Sequence, residues 1–307
     1  MTVLVRDPYA VPGEYRKAQL HCHTTASDGR FSPRELLGMY KDAGYSFVFI
    51  TDHNQVTRCD ELNDGTFLAL PGTEDTVSTM RPLGPHLLRL FVRESLRGGD
   101  AQRYIDRTEE GRGLCALAHP SWTGNLWSGS WPAQACLRLR GYHLVEICNP
   151  HSAPARDLRC WEAALRRPDA PPVWGIAVDD CHHRGQFNRA WVVVRVPEIT
   201  AGALRSALRA GAFYATTGPG AEFAGRGPTI TVGLEEHLPV RFVDAAGRVR
   251  LAVEEREAEY TAQGDEGFIR VEAGSGRGAV WSQPFVIEDR ARGKPADLPA
   301  RSLDAPE

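Results

Sequence analysis

The sequence predicts an α/β protein with mainly parallel strands, followed by a small antiparallel β module. Its 307 residues fit one large α/β domain with a small addition. Apolar runs alternate with helical segments as far as about residue 220, a pattern typical of parallel strands with crossover helices. Beyond residue 225, short alternating runs are typical of antiparallel strands. We therefore expect an α/β domain over 14–220, a β module over 226–289 and a disordered tail over 290–307.

Composition excludes several classes of function. The net charge of −3 gives no basis for binding nucleic acid or a membrane surface. Residues 1–13 contain Arg6, Asp7 and Pro8 and do not resemble a signal peptide, and no apolar run is long enough to span a bilayer. The seven cysteines are scattered, so we expect free thiols in a reducing cytoplasm. The oligomeric state stays open.

The first strand–helix–strand unit can be located from its boundary residues. A strand is expected over 17–22. Ser32 then caps a helix, with Glu35 as the acid of a capping box, and Gly44 ends it. The run 46–50 is almost wholly apolar, which indicates a strand buried on both faces. The unit is therefore a crossover between parallel strands.

The same alternation continues along the chain. Further strands of the α/β domain are expected at 67–70, 87–92, 113–118, 144–148, 173–178 and 191–196. Helices are expected at 100–110, 155–166 and 201–210. The β module is expected to contain strands at 229–232, 240–243, 249–253, 268–271 and 279–287.

Histidine or acidic residues follow successive apolar runs. His21 and His23 follow the first strand and share one face, because side chains alternate along a strand. The carboxyl ends of parallel strands meet at one end of an α/β enzyme, where its chemistry is placed. We therefore expect nine candidate metal ligands to gather there: His21, His23, Asp28, His53, Glu74, His86, His119, Asp180 and His182.

Two of these candidates need further argument. Asp180 competes with Asp179, and we prefer Asp180 because strand alternation puts it on the same face as His182. His86 departs from the general pattern because it begins its strand rather than ending it. We expect three other histidines to be structural: His143, His183 and His237.

The candidate ligands suit more than one ion. Six imidazoles and three carboxylates fit two or three divalent ions, and nitrogen and oxygen ligands without thiolate indicate Zn, Mn or Fe. A water that bridges such ions has its pKa lowered from about 15.7 to about 7. The ions also neutralise charge on phosphate oxygens. The pattern therefore indicates hydrolysis by attack of a metal-bridging hydroxide.

Five separated motifs together resemble the PHP (polymerase and histidinol phosphatase) family. They are Leu20-His21-Cys22-His23-Thr24 with Ser27-Asp28-Gly29, Ile50-Thr51-Asp52-His53-Asn54, Gly72-Thr73-Glu74, Ala118-His119-Pro120 and Asp180-Cys181-His182. The resemblance covers about residues 17–220. The segments 207–219 and 281–284 also resemble stand-alone phosphoesterases of this family that carry a C-terminal β module. The resemblance implies a distorted (β/α)7 barrel with a di- or trinuclear metal centre that hydrolyses phosphoesters.

The resemblance also implies how the ligands are divided. One ion would be held by His21, His23, Glu74 and Asp180. Glu74 would bridge to a second ion held by His86 and His119, and a third position would be completed by Asp28, His53 and His182. Without His86, a two-metal site is expected. His53 and Asp180 are the candidate catalytic residues.

Residues that contact the substrate are harder to locate. Asn149 and His151 follow a strand on the catalytic side, and Arg184 follows the last candidate ligand. Its guanidinium could hold a phosphate, although a surface arginine fits the sequence equally well. His53 and His151 are candidate proton donors to the leaving group. Three tryptophans of the glycine-rich segment 121–132 either wall a substrate pocket or pack as core or lid: Trp122, Trp127 and Trp131.

The sequence therefore predicts a metal-dependent phosphoesterase with a small phosphorylated metabolite as substrate. The substrate is either a phosphomonoester, such as a nucleotide or sugar phosphate, or a cyclic phosphodiester. Two alternatives stay open. One is a metal-dependent hydrolase of C–N or C–O bonds, and the other is a non-catalytic binding module stabilised by metal.

Overall fold

The computed structural model describes residues 3–78, 83–167 and 172–289. The strands are β1 (Val3–Arg6), β2 (Glu14–Gln19), β3 (Tyr45–Ile50), β4 (Leu68–Thr76), β5 (His86–Leu90), β6 (Leu114–Leu117), β7 (Leu144–Cys148), β8 (Trp174–Ala177), β9 (Trp191–Val196), β10 (Phe213–Thr216), β11 (Ala221–Arg226), β12 (Thr229–Asp244), β13 (Val249–Thr261), β14 (Phe268–Ser275), β15 (Gly278–Trp281) and β16 (Phe285–Asp289). The helices are α1 (Pro33–Asp42), α2 (Ala101–Glu110), α3 (Ala133–Arg138), α4 (Pro154–Leu165) and α5 (Ala201–Ala210). The predicted disordered tail, 290–307, lies outside the described residues.

The fold is α/β, with one large mixed sheet. Its strands pair in the order β1-β16-β14-β15-β10-β9-β2-β3-β4-β5-β6-β7-β8, and β11, β12 and β13 attach beside β14. The pairs β2–β3, β3–β4, β6–β7 and β7–β8 are parallel. Among the described strands the pairing does not close into a ring. A single bridge, between Cys22 and Cys181, joins the segments that follow β2 and β8.

Strand β5 is an exception to the mainly parallel arrangement expected of the α/β region. It pairs antiparallel with both β4 and β6. Only nine residues separate β4 from β5, which is too few for a crossover helix but enough for an antiparallel connection. Because β5 is reversed, its first residue, His86, lies opposite Thr76 near the end of β4. The reversal explains why His86 begins its strand, whereas the other candidate ligands lie near the ends of theirs or after them.

Helix α1 forms as its local sequence predicts. Ser32 caps it and makes a reciprocal capping box with Glu35, and Pro33 occupies the first turn. Leu36, Leu37 and Tyr40 are buried on one face. They pack with the outward residues of β3 in one apolar cluster, so the helix covers the outside of the sheet.

One apolar cluster receives side chains from every strand between β2 and β10. Phe47 and Phe49 of β3 and Ile176 of β8 are fully buried in it. Leu204 and Leu208 of α5 pack into the same cluster. Burial of this apolar surface fixes the strands relative to one another. The polar strand ends described below are thus held on a rigid support.

The antiparallel region is larger than the short runs in the sequence indicated. Strands β12 and β13 form a long hairpin with an irregularity between Gly233 and Leu238. Strand β1, which the sequence analysis left unassigned, pairs with β16 at the other end of the chain. This region has its own apolar cluster, which includes Phe242 and Phe285. The domain boundaries proposed from the sequence stay a prediction.

Two cysteines differ from their expected state. Cys136 of α3 and Cys160 of α4 form a disulfide, so the expectation of free thiols was wrong for this pair. The two residues lie 24 positions apart, and only the packing of α3 on α4 brings them together. The other five cysteines are free. Within the described ranges, no helix has both the length and the apolar character needed to cross a bilayer.

Candidate metal centre

The ends of β2 and β8 are held together by a buried amide. The Oε1 atom of Gln19 accepts hydrogen bonds from the backbone N–H groups of Leu20 (3.1 Å), His21 (3.3 Å) and Asp179 (3.2 Å). The backbone N–H of His23 donates to the carbonyl of Cys181 at 3.0 Å. The two segments that carry candidate ligands therefore run side by side.

Four side-chain atoms at this junction have the spacing of ligands around one ion. The Nε2 atoms of His21 and His23 are 3.0 Å apart. They lie 3.2 and 3.3 Å from Asp180 Oδ1 and 3.4 and 3.2 Å from Glu74 Oε2. Ligands bonded at about 2.1 Å are separated by about 3.4 Å around a tetrahedral ion and about 3.0 Å around an octahedral one. The arrangement therefore fits a divalent cation.

Glu74 connects this group to a second one. Its Oε1 atom lies 2.9 Å from His86 Nδ1 and 2.8 Å from His119 Nε2. Its Oε2 atom faces His21 and His23, as given above, and also His53 Nδ1 at 3.0 Å. The carboxylate is almost fully buried, with 1% of the side chain exposed. Each oxygen thus faces a different set of imidazoles, which is the geometry of a bridging ligand.

The third group lies nearer the surface. Asp28 Oδ2 is 3.5 Å from His53 Nε2 and 3.4 Å from His182 Nε2. Asp28 Oδ1 is 3.5 Å from His23 Nδ1. The Asp28 side chain is 53% exposed, whereas His53 and His182 are about half that. The structure thus brings together all nine residues selected from the sequence, and eight of them fall in sets that could hold a metal ion. The ninth, His119, faces Glu74, and His151 forms a further such set with Asp180 and His182.

The structure distinguishes Asp180 from its neighbour Asp179. Asp179 accepts hydrogen bonds from the backbone N–H groups of Asn188, Arg189 and Ala190 and from the Tyr40 hydroxyl, so it orders the loop before β9. Asp180 instead points towards the imidazoles. Burial raises the pKa of Asp179 to about 6, although these hydrogen bonds oppose the shift.

Two of the candidate ligands combine backbone strain with an unpartnered buried atom. His119 and Asp180 have φ values of 27° and 42°, in the left-handed region that residues other than glycine rarely adopt. His119 Nδ1 and Asp180 Oδ1 are buried without a hydrogen bond. Such a combination costs stability and typically marks a functional site. An ion at Asp180 Oδ1 would supply the missing partner.

Charge inside the centre favours carboxylates in their ionised form. Burial raises the pKa of Glu74, but the imidazoles of His86, His53 and His21 outweigh it and hold the pKa well below its usual range. The pKa of Asp180 is lowered in the same way, chiefly by His21 and His23. Burial lowers the pKa of His23, yet the neighbouring carboxylates of Asp180 and Glu74 raise it overall to about 9. These surroundings therefore favour ionised Glu74 and Asp180, the form in which a carboxylate binds a metal ion.

Glu146 was missed by the sequence analysis. It is fully buried on β7 and accepts hydrogen bonds from His21 Nδ1 (2.7 Å), the backbone N–H of His119 (2.6 Å) and Asn149 Nδ2 (2.8 Å). By accepting a hydrogen bond from His21 Nδ1, it turns Nε2 of that ring towards the centre. A signal was present in the sequence, since Glu146 is the one acidic residue in an otherwise apolar predicted strand.

The candidate ligands open onto a cavity of about 450 Å³. Its walls include Asn54, Thr76 and Asn125, none of which was assigned to the site from the sequence, and Trp122, for which the sequence left open a pocket wall or packing. His151 lines the cavity and contacts Gln186 at 2.7 Å. No sequence pattern could have located Asn125, because it reaches the site from the long connection between β6 and α3.

Two residues predicted to contact the substrate, Asn149 and Arg184, do not line the cavity. Asn149 is buried beneath the cavity, where its amide donates to Glu146 Oε2 (2.8 Å) and Asp180 Oδ2 (3.1 Å). Arg184 is exposed, and its guanidinium carbon lies 5.4 Å from the centre of the Phe187 ring. Arg184 does not line the cavity. The geometry thus gives Asn149 a supporting position and gives Arg184 no contact with the centre.

Comparison with known proteins relates the chain to solved structures. No protein-family model and no curated protein matches it. A two-domain protein from Bacteroides vulgatus, described as containing a predicted PHP-like metal-dependent phosphoesterase, aligns with a TM-score of 0.50. The alignment covers 91% of this chain and 98% of that one, at 16% identity. The two chains share a fold. The predicted resemblance to the PHP family is therefore confirmed at the level of the fold.

A second solved structure aligns over a smaller part of the chain. It is an amidohydrolase from Chromobacterium violaceum, with a TM-score of 0.40 and 13% identity. The alignment covers 55% of this chain and 88% of that one.

Proposed function

We propose that this chain is a metal-dependent phosphoesterase with a small phosphorylated metabolite as substrate. The single observation that carries the proposal is Glu74, whose two carboxylate oxygens each face a separate set of imidazoles. Two or three divalent ions, Mn, Fe or Zn, would be held by the nine candidate ligands. When bound, such ions lower the pKa of water and neutralise charge on phosphate oxygens.

The chain's own residues would hold the reacting groups in position. Glu146 orients His21, and Glu74 and Asp180 carry negative charge between the imidazoles. His53 turns Nδ1 towards Glu74 and Nε2 towards Asp28, an arrangement expected of a ligand. His151 lines the cavity, and its Nε2 atom lies 4.0 Å from Asp180 Oδ2, farther than the distances at which the two nitrogens of His53 face Glu74 and Asp28. We therefore favour His151 over His53 as the group that gives a proton to the leaving oxygen.

We further propose that the strands between β2 and β9 form a distorted (β/α)7 barrel. The bridge between Cys22 and Cys181 and the apolar cluster shared by these strands support it. In such a barrel, α5 would cover one end of the core and the candidate ligands would occupy the other. The partner of this site would be a small phosphoester rather than a nucleic acid or a membrane surface.

The proposal is tested by turnover of the protein purified without oxygen and loaded with Mn, Fe or Zn. Phosphate release is measured over sugar phosphates, nucleotides and cyclic phosphodiesters, alongside a panel of lactones and amides. We expect phosphate release that chelation abolishes and added metal restores. Turnover of a lactone or amide without phosphate release would instead favour a C–N or C–O hydrolase. A metal-loaded protein that hydrolyses nothing would favour a binding module.

A further inference from the structure

The segment 121–132 is fastened to the strand that carries His86. Asn125 Nδ2 donates to the carbonyl of Gly84 at 3.0 Å and contacts His86 Nε2 at 2.9 Å. The backbone N–H of Gly84 donates to Ser128 Oγ at 2.8 Å, and Trp131 Nε1 donates to the carbonyl of His86 at 3.0 Å. These hydrogen bonds hold Asn125, Ser128 and Trp131 against β5 and the residues just before it.

Trp122 fills the space beneath this segment. Its ring centre lies 5.0 Å from that of His86 and 4.8 Å from that of His119. Gly124 and Gly129 lie so close to the indole that a Cβ atom at either position would collide with it. Trp131 is buried, so two of the three tryptophans serve to pack the segment. The base of the segment is therefore a rigid part of the cavity wall.

The tip of the segment, Leu126 and Trp127, is exposed to solvent instead of packed. Leu126 and Trp127 are 80% and 81% exposed, more than any other large apolar side chain in the described ranges. With Asn125 they form three consecutive residues at φ values of 52°, 53° and 71°, a conformation that residues other than glycine rarely adopt. The hydrogen bonds at the base thus hold two apolar side chains out in solvent in an unfavourable backbone conformation.

We propose that Leu126 and Trp127 form a subsite for an apolar or aromatic group esterified to the substrate phosphate. The inference rests on the proposed function and deepens it. Trp127 follows Asn125, a cavity-lining residue, by two positions, so their Cα atoms are at most about 7.6 Å apart. A substrate with its phosphoryl group at the metal centre and its organic part extending past Asn125 would meet the indole.

The size of the apolar tip favours a small molecule over a protein partner. Two such side chains offer roughly 350 Å² of surface, whereas a stable protein interface needs about 800 Å² on each partner. The tip also directly follows Asn125, which lines the cavity and is held there by its contacts with Gly84 and His86. A ring that stacks on one indole needs no larger surface.

The test compares phenyl phosphate with methyl phosphate as substrates of the metal-loaded protein. In Trp127→Ala we expect kcat/KM for phenyl phosphate to fall about three- to tenfold, since one aromatic contact is lost. Turnover of methyl phosphate and metal content should not change. Trp127→Phe should restore most of the loss. Val249→Ala, which removes another exposed apolar side chain far along the sheet on β13, is the matched control.

A second readout separates this inference from the proposed function. The proposed function fails if no phosphoester of the full panel is hydrolysed, and calorimetric binding of phenylphosphonate and methylphosphonate then still tests the subsite. A preference for phenyl that Trp127→Ala removes supports the subsite. An equal loss for both compounds, or no loss, overturns it. A change in oligomeric state by light scattering, with the phenyl preference intact, would assign the tip to contact between copies and also overturn it.

Discussion

At the scale of single residues, the candidate metal centre depends on a carboxylate that is not itself a candidate ligand. Glu146 lies behind His21 and accepts hydrogen bonds from three groups around it. Partners of this kind fix the orientation of a metal-binding imidazole and raise its basicity. Their loss typically weakens metal binding without removing any ligand.

Replacing Glu146 with alanine therefore tests whether metal binding depends on the orientation of His21. We expect the affinity for Mn or Zn to fall about 10- to 100-fold, because His21 loses its fixed orientation. Equilibrium dialysis followed by metal analysis measures this affinity. Glu266→Ala is the matched control, since Glu266 is also buried and accepts from Gln263, Gly264 and Tyr260 in the β module. Equal affinity in the two variants would contradict the role of Glu146.

His143, which the sequence analysis expected to be structural, should give the protein a pH-dependent stability. Burial and the charge of Arg209 lower its pKa to about 4, against the opposing effect of Glu109. Below pH 6.5 the unfolded chain binds a proton at this residue that the folded chain does not. The free energy of unfolding should therefore fall as the pH drops from 6.5 to 4, by at most about 3 kcal/mol.

Denaturant unfolding at pH 7, 5.5 and 4.5 measures this dependence. In His143→Gln the loss of stability across that window should be smaller than in the unchanged protein. His237→Gln, at an exposed position on β12, is the control and should leave the dependence unaltered. The same pH dependence in His143→Gln and in the unchanged protein would show that His143 does not stay neutral in the folded state.

At the scale of elements, the sequence predicts those helices and strands whose ends are determined by residues close together in the chain. The capping box of Ser32 and Glu35 places α1 correctly, because its partners lie three residues apart. The reversal of β5 and the pairing of β1 with β16 depend on distant residues, so periodicity could not reveal them. The disulfide between Cys136 and Cys160 was not predicted for the same reason, since it requires the packing of α3 on α4.

Two glycines test how tightly the segment over the site is packed. Gly124→Ala would push a methyl group into the Trp122 indole, whereas Gly38 of α1 has open space around it. We expect Gly124→Ala to lower the free energy of unfolding by about 1–3 kcal/mol. Gly38→Ala should raise it by about 0.5–1 kcal/mol, because alanine favours a helix. Denaturant unfolding measures both, and a neutral Gly124→Ala would contradict the packing described.

At the scale of the whole molecule, nine side chains from distant parts of the chain meet at one end of the sheet. The sequence predicted this convergence because parallel strands present their carboxyl ends together, and because the resemblance to the PHP family added the grouping. Neither source predicted the supports, Glu146 and Asn125, which reach the site through tertiary packing.

The most direct test of the account is the metal content of the protein purified without oxygen. The unchanged protein and His237→Ala, an exposed histidine remote from the centre, should hold two or three ions per chain. His23→Ala and Asp180→Ala should each hold at least one ion fewer and lose turnover. Full metal content and unchanged turnover in His23→Ala or Asp180→Ala would contradict a metal centre at the ends of these strands.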